Sequence, residues 1–159
     1  MNTNVKRLRK ELTELRKSPE ADMVLHPLED TVTEWKAFIK GPVDTPFQNR
    51  VFELRIVTTP LYPMEPPKMR FVTKIFHPNV HFTDGSICLD ILKREWSPAW
   101  TLRAACLAVT SLLSDPAADS PLNCDAGNMI RAGDMLAYNS MAAMYTEEFG
   151  LPALPPTPL

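Results

Sequence analysis

The stretch Pro60–Pro67 carries four prolines in eight residues, inside the segment PLYPMEPPKMRF. Proline lacks a backbone N–H, and its ring keeps the preceding residue out of the helical region of backbone conformation. This stretch therefore enters neither a helix nor the interior of a sheet. We expect a rigid, irregular crossing whose X-Pro bonds are able to adopt the cis form.

The chain before the crossing predicts one helix and three strands, and a fourth strand follows it. Apolar residues recur at three- and four-residue steps near the start, which predicts an amphipathic helix ending at Ser18-Pro19. These apolar residues are Val5, Leu8, Leu12 and Leu15. Alternating segments such as TEWKAFIKG and VFELRIVT predict half-buried strands, and short connections favour an antiparallel meander. The four strands are placed at residues 22–28, 32–40, 50–58 and 68–73.

A long irregular loop and a set of helices complete the chain. From Phe76 to Trp100 no period is sustained, and a loop of that length in a compact domain is usually functional. The segment TLRAACLAVTSLLSD predicts a helix capped by Thr101, with Cys106 on its buried stripe. A short helix capped at Asn123 and a longer helix over DMLAYNSMAAMYTEEF follow. The residues in register on the longer helix are Met135, Tyr138, Met141, Ala142 and Tyr145.

Strands and helices are thus segregated, which predicts an α+β fold. We expect one domain over residues 1–150 and a proline-rich tail, extended or frayed, over 151–159. Apolar residues make up 45% and charged residues 23%, as in ordinary soluble globular proteins. We expect neither a signal peptide nor a membrane-spanning segment.

The net charge of −2 conceals an asymmetry. Residues 1–17 contain six basic and two acidic side chains, so this segment is +4 and the remainder −6. The run is either a solvated helix face or a docking surface for an acidic partner. Aromatic residues are not interleaved with these charges, which argues against nucleic acid as the partner.

Three cysteines, at positions 88, 106 and 124, cannot all pair within the chain, which favours a reducing compartment. No CxxC or close His/Cys cluster indicates zinc, so we assign no metal and no cofactor. Cys88 lies in HPNVHFTDGSICLDI, shortly after His77 and His81. Three interpretations of this stretch are open. Cys88 is the nucleophile of a thiol protease, which requires a histidine base, or it is a thiol that carries an acyl group, or it is an ordinary buried cysteine.

Ordered motifs resolve part of this ambiguity. The motifs occur along the chain in the order W.A.I.GP..TPF....F.L.I, YP.EPPK.RF.T.IFHPN, FHPNV, GSICLDIL and WSPAWTL. Together they resemble the ubiquitin-conjugating enzyme family over roughly Lys6 to Met144. In that family the cysteine is a carrier: it accepts the ubiquitin C-terminus as a thioester from an activating enzyme and passes it to an acceptor.

The resemblance implies roles for three residues. Cys88 would be the nucleophile that forms the thioester. Asn79 of the HPN motif would donate a hydrogen bond to the oxyanion, or it holds its own loop through backbone bonds. Ser120 occupies the family position where relatives carry Asp or Ser, and Asp119 would substitute only if it faced the cleft. Because Ser120 brings no charge, we expect tolerance of a cysteine acceptor, whose thiol loses its proton more easily than a lysine amine.

The resemblance also implies a docking surface shared by the activating enzyme and RING-type ligases. It would combine basic residues of the first helix with apolar residues of two loops. The expected contact residues are Lys6, Arg7, Lys10, Met64, Pro98 and Ala99. Without the family pattern, Met64 would be interpreted as a gap-filling side chain.

The sequence resembles one branch of this family more closely. KIFHPNVHF, WSPAWTL, DSPLNCDAGN and NSMAAMYT resemble the peroxisomal branch, which modifies the cycling import receptor on a cysteine. That implies a cytoplasmic enzyme recruited to the cytosolic face of the peroxisomal membrane by a membrane-anchored peroxin. The alternatives are a general ubiquitin-conjugating enzyme for protein turnover, a catalytically silent ubiquitin-binding variant, and an enzyme for another modifier.

Two positions depart from the family pattern or remain open. FQNRVF stands where most relatives carry two glycines; Asn49 tolerates a left-handed backbone, and Arg50 does so less readily. For Cys124 we favour a buried side chain over a second reactive thiol.

Overall fold

The computed structural model describes residues 2–158. A helix comes first, then four strands, then a long loop and three helices. The helices are α1 (Thr3–Lys17), α2 (Leu102–Ser114), α3 (Cys124–Arg131) and α4 (Met135–Phe149), and the strands are β1 (Met23–Pro27), β2 (Glu34–Lys40), β3 (Val51–Val57) and β4 (Lys68–Phe71). The predicted α+β order is confirmed.

The sheet is the predicted meander. Its strands pair antiparallel in the order β1-β2-β3-β4, with Val24 opposite Phe38 and Leu54 opposite Phe71. Alternate side chains point to opposite faces, so Trp35, Ala37 and Ile39 enter the main core on one side. Helices α1 and α2 supply Leu8, Leu102 and Val109 to the same core, as their apolar stripes predicted.

The connection at Pro60–Pro67 is an irregular crossing, and its Tyr62–Pro63 bond is cis. The turn before β3 places Asn49 in the left-handed region, with φ of 68°, and Arg50 outside it. This turn therefore uses an asparagine in a backbone conformation that glycine adopts most readily. From Phe76 to Trp100 the only helical element is the short 3-10 turn Asp90–Leu92.

Helix caps agree with the sequence. The Thr101 side chain accepts a hydrogen bond from the Ala104 N–H, and the Asn123 side chain accepts one from the Ala126 N–H. Cys106 is fully buried, and burial raises the pKa of its thiol to about 12. That sulfur stays protonated at neutral pH and serves as a core side chain.

The prediction for α4 was wrong at one residue. Tyr138 and Ala142 are buried as expected, whereas Met135 is 43% exposed at the start of the helix. Thr146, four residues after Ala142, is buried instead. The buried face of α4 thus begins at Tyr138, and Met135 and Leu136 in its first turn are exposed.

The tail folds back on the outer face of the sheet. Leu151 pairs with Val51 through two backbone hydrogen bonds of 2.8 and 2.9 Å. Leu151 and Leu154 then pack against a second apolar cluster made of Val24, Phe38 and Val51. The tail was predicted to be extended or frayed; residues 151–158 contain no helix, and Leu151 and Leu154 contact the sheet.

Candidate functional site

Cys88 is held at the end of a tight turn. Its N–H donates to the Asn79 carbonyl at 2.8 Å, and the His81 N–H donates to Ser86 O at 2.8 Å. Gly85 lies in the left-handed region, with φ of 78°, and a Cβ there would meet Phe71 O at 2.0 Å. Only glycine therefore fits between this turn and β4. The Cys88 residue at its end is partly exposed to solvent.

His77 is a buried structural residue. It has no exposed surface; its Nε2 donates to Leu112 O at 2.9 Å, and its Nδ1 accepts from the Asn79 N–H at 3.0 Å. This pair of partners requires the neutral ring with the proton on Nε2. Burial lowers the pKa of His77 to about 4, against a weaker opposing effect of the Leu112 carbonyl.

His81 also forms hydrogen bonds within its own loop. Nδ1 of His81 accepts hydrogen bonds from the Thr83 and Asp84 N–H groups, both at 3.2 Å. Among residues 2–158, no hydrogen bond joins a histidine to the Cys88 thiol. The site therefore lacks the nucleophile–base pair that a thiol protease requires.

Asn79 is 2% exposed, and its side chain bridges to the loop after α2. Its Nδ2 donates to Ala117 O at 2.7 Å, and its Oδ1 accepts from the Ala117 N–H at 2.8 Å. Nδ2 carries two hydrogens, and this bond occupies one of them. The expected alternative was that Asn79 holds its own loop; its side chain instead holds the loop after α2.

The loop that carries Ser120 is attached to the HPN segment at a second point. Pro78 O accepts hydrogen bonds from the Leu122 N–H at 2.8 Å and the Asn123 N–H at 3.2 Å. Ser120 and Asp119 both lie exposed between this attachment and the one at Ala117. The structure thus brings the Cys88 turn, the HPN segment and the Ser120 loop into one hydrogen-bonded unit.

Four of the six predicted docking residues line one groove. A groove of about 420 Å³ between α1 and the start of α2 is lined in part by Arg7, Lys10, Pro98 and Ala99. Lys6 is exposed on α1, and Met64 is 73% exposed at the crossing loop. Lys6 and Met64 lie outside the lining of this groove.

Sequence reasoning missed Glu11, which connects α1 to Tyr62 and to the start of α2. Glu11 is 6% exposed, and its carboxylate accepts hydrogen bonds from the Tyr62 hydroxyl and the Leu102 N–H. The signal was available, because Glu11 lies three residues after Leu8 and four before Leu15, on the predicted buried face. A carboxylate on that stripe needs buried partners.

The prediction for Cys124 was wrong: this side chain is exposed. It occupies the first position of α3, directly after the Asn123 cap, where the helix faces solvent. Residues 2–158 contain no group of three or more His, Cys, Asp or Glu side chains suited to a metal ion. Nor does any helix in this range have the length and apolar character needed to span a membrane.

Comparison with known proteins agrees with the fold. The sequence model of the ubiquitin-conjugating enzyme family matches residues 7–146. The chain belongs to the ubiquitin-conjugating enzyme family.

Its relatives include peroxisomal members. It is 49% identical to Protein PEROXIN-4 of Arabidopsis thaliana over 154 residues, covering 96% of this chain and 98% of that protein. It is 51% identical to ubiquitin-conjugating enzyme E2 pex4 of Dictyostelium discoideum over 145 residues, covering 91% and 97%. The H. polymorpha enzyme Pex4p, solved in complex with the soluble domain of Pex22p, superposes with a TM-score of 0.89 at 36% identity, covering 94% of this chain and 99% of that one.

Proposed function

We propose that Cys88 carries ubiquitin as a thioester and delivers it to an acceptor at the peroxisomal membrane. The observation that carries the proposal is a partly exposed Cys88 on a rigid turn, with no hydrogen bond from its thiol to a histidine among residues 2–158. A carrier does not need such a base, because its acyl group arrives already activated.

The chemistry proceeds in two exchanges. The Cys88 thiolate attacks the carbonyl carbon of the ubiquitin thioester on the activating enzyme, and the thiol of that enzyme leaves. An acceptor nucleophile then attacks the new thioester, and the Cys88 thiolate is released. A developing oxyanion would lie near the HPN segment, where the second Nδ2 hydrogen of Asn79 is the available donor.

Charging is tested with ATP, activating enzyme and ubiquitin. The wild-type chain should form an adduct that thiol reductant removes, and Cys88→Ser should form an ester that resists it. Cys124→Ser is the matched control, because Cys124 is the other exposed thiol. The proposal fails if Cys88→Ser behaves as wild type, or if Cys124→Ser abolishes the adduct.

The acceptor we propose is a cysteine of the peroxisomal import receptor. The names of the Arabidopsis and Dictyostelium relatives support the peroxisomal role, and the exposed Ser120 supports the acceptor chemistry. Without a carboxylate at position 120, little assists deprotonation of a lysine amine, whereas a thiol, with its ordinary pKa of about 8.5, needs less assistance.

Acceptor choice is measured by discharge of the preformed thioester onto free cysteine and free lysine. We expect cysteine to be preferred, and Ser120→Asp to increase discharge onto lysine. Asp119→Asn, the neighbouring exposed position, is the control that should change neither rate. A strong lysine preference of the wild-type chain would contradict the proposal.

We further propose recruitment by a membrane-anchored peroxin, supported by the complex of the H. polymorpha enzyme with Pex22p. The chain should co-purify with peroxisomal membranes and leave them when that partner is deleted. Uniform distribution in the cytosol, both in cells with that partner and in cells without it, would instead favour a general enzyme of protein turnover.

A further inference from the structure

The carboxylate of Glu11 joins three separate segments at the proposed docking surface. We propose that Glu11 and Tyr62 are positioning residues that hold these segments in the arrangement that partner proteins bind. The inference rests on the proposed function, because it assumes that the activating enzyme and the ligase dock here. It concerns residues that contact the three segments and do not contact the Cys88 thiol.

Both carboxylate oxygens of Glu11 are used. Oε2 accepts from the Tyr62 hydroxyl at 2.6 Å and from Arg7 Nε at 3.0 Å, while Oε1 accepts from the Leu102 N–H at 2.7 Å. Tyr62 belongs to the crossing loop, and Leu102 begins α2. One buried charge thus connects α1, the loop that carries Met64, and the segment that follows Pro98 and Ala99.

The partners of Glu11 are chemically suited to a buried carboxylate. Leu102 is the first residue of α2, so its N–H has no acceptor within the helix, and the positive end of the helix dipole favours an anion there. The Arg7 guanidinium lies 5.8 Å from the centre of the Tyr62 ring. Burial, and then the hydrogen bond to Glu11, raise the pKa of Tyr62 far above its ordinary value, so its hydroxyl stays a donor.

The same network extends on both sides. Arg7 Nη2 donates to Trp100 O at 2.7 Å, directly after Pro98 and Ala99. Trp96 Nε1 donates to Pro63 O at 2.8 Å, and its ring lies 6.0 Å from that of Tyr62. Arg7 is therefore committed to the scaffold, whereas Lys6 and Lys10 stay exposed to meet an acidic partner.

A surface assembled from three segments binds well only if their relative positions are set before binding. Loss of the Tyr62 hydroxyl would leave the crossing loop without its bond to α1. We therefore expect Tyr62→Phe and Glu11→Gln to weaken docking while leaving the chemistry at Cys88 unchanged. Tyr138→Phe is the matched control, because the buried Tyr138 hydroxyl has no hydrogen-bond partner among residues 2–158.

The decisive measurements separate docking from chemistry. With Tyr62→Phe, two quantities should rise roughly tenfold: the KM of the activating enzyme for this chain in the charging reaction, and the Kd of this chain for a RING domain. A tenfold change is the size expected for the loss of one hydrogen bond to a charged group. Ligase-free discharge of the preformed thioester onto free cysteine should not change. Unchanged KM and Kd with a lowered unfolding temperature would assign Glu11 and Tyr62 a purely structural role and overturn the inference.

A second readout is independent of ubiquitin. Amide hydrogen exchange in the isolated chain should accelerate at residues 61–65 and 98–102 in both variants, and not in Tyr138→Phe. If the wild-type chain failed to charge, the proposed function would be wrong, and exchange would still decide whether Glu11 orders these segments. Exchange identical to wild type in both variants would refute the positioning role.

Discussion

Asn79 and Ala117 are joined by two hydrogen bonds in which one buried amide side chain satisfies both the N–H and the carbonyl of one exposed residue. The two residues lie 38 positions apart in the chain. The bonds hold the loop after α2 against the HPN segment, whose Asn79 carbonyl also receives the Cys88 N–H. The orientation of the Ser120 loop therefore depends on the side chain of the same residue whose carbonyl accepts the Cys88 N–H.

This relationship predicts that Asn79→Ala affects stability as well as transfer. Loss of two buried hydrogen bonds should lower the free energy of unfolding by about 2 kcal/mol, measured by urea denaturation. Discharge of the preformed thioester should slow by roughly 100-fold if the remaining Nδ2 hydrogen serves the oxyanion. Charging by the activating enzyme should change much less.

Asn139→Ala, an exposed asparagine on α4, is the control for the chemical change itself. It should alter neither stability nor discharge. If Asn79→Ala and Asn79→Asp lose stability and transfer at the normal rate, Asn79 holds its loop and the oxyanion role is excluded.

The buried His77 predicts a loss of stability in acid. Its pKa is about 4 in the folded chain and about 6.5 when unfolded, so between these values the unfolded chain binds the extra proton. The contribution of neutral His77 to the free energy of unfolding is fully present above pH 6.5 and falls as the pH drops towards 4. Between pH 7 and pH 5 the free energy of unfolding should fall by about 2 kcal/mol from this residue alone.

The physical reason is local. Protonation of Nδ1 would place a second donor against the Asn79 N–H, which now donates to it. Urea denaturation at pH 7 and pH 5 measures the effect. His77→Gln should remove most of this dependence, whereas His26→Gln should retain it; an equal decline in wild type and His77→Gln would refute the assignment.

The contact of the tail with the sheet predicts a further loss of stability. Leu154→Ala removes apolar surface that packs on Val24 and Phe38, and should lower the free energy of unfolding by about 1–2 kcal/mol. Leu136→Ala is the matched control, because Leu136 is 80% exposed. Equal stability of the Leu154→Ala and Leu136→Ala variants would show that the tail contributes nothing to folding.

The three cysteines should differ in reactivity towards a thiol-alkylating reagent. Cys88 and Cys124 are accessible, whereas Cys106 is buried and its raised pKa keeps it protonated. Peptide mapping after brief labelling of the native protein should find the first two modified, and Cys106 only after denaturation. Labelling of native Cys106 at a comparable rate would contradict its place in the core.

Local patterns were sufficient for the elements of this fold. Apolar spacing located α1 and α2, alternation located the strands, and Thr101 and Asn123 are caps because short polar side chains accept the free N–H groups at helix starts. Each of these properties depends on residues within a few positions of one another. The ordered motifs likewise identified the family, and with it Cys88 as the expected nucleophile.

Only the tertiary structure decided which distant groups meet. The Asn79–Ala117 bridge, the bonds of Glu11 to Tyr62 and Leu102, and the packing of Leu154 on Phe38 all join residues far apart in the chain. Burial is decided at the same level: Cys124 and Met135 are exposed, although cysteine and methionine are residue types that are commonly buried. Periodicity specifies the face of an element, whereas the neighbour that covers that face is set by how the whole chain packs.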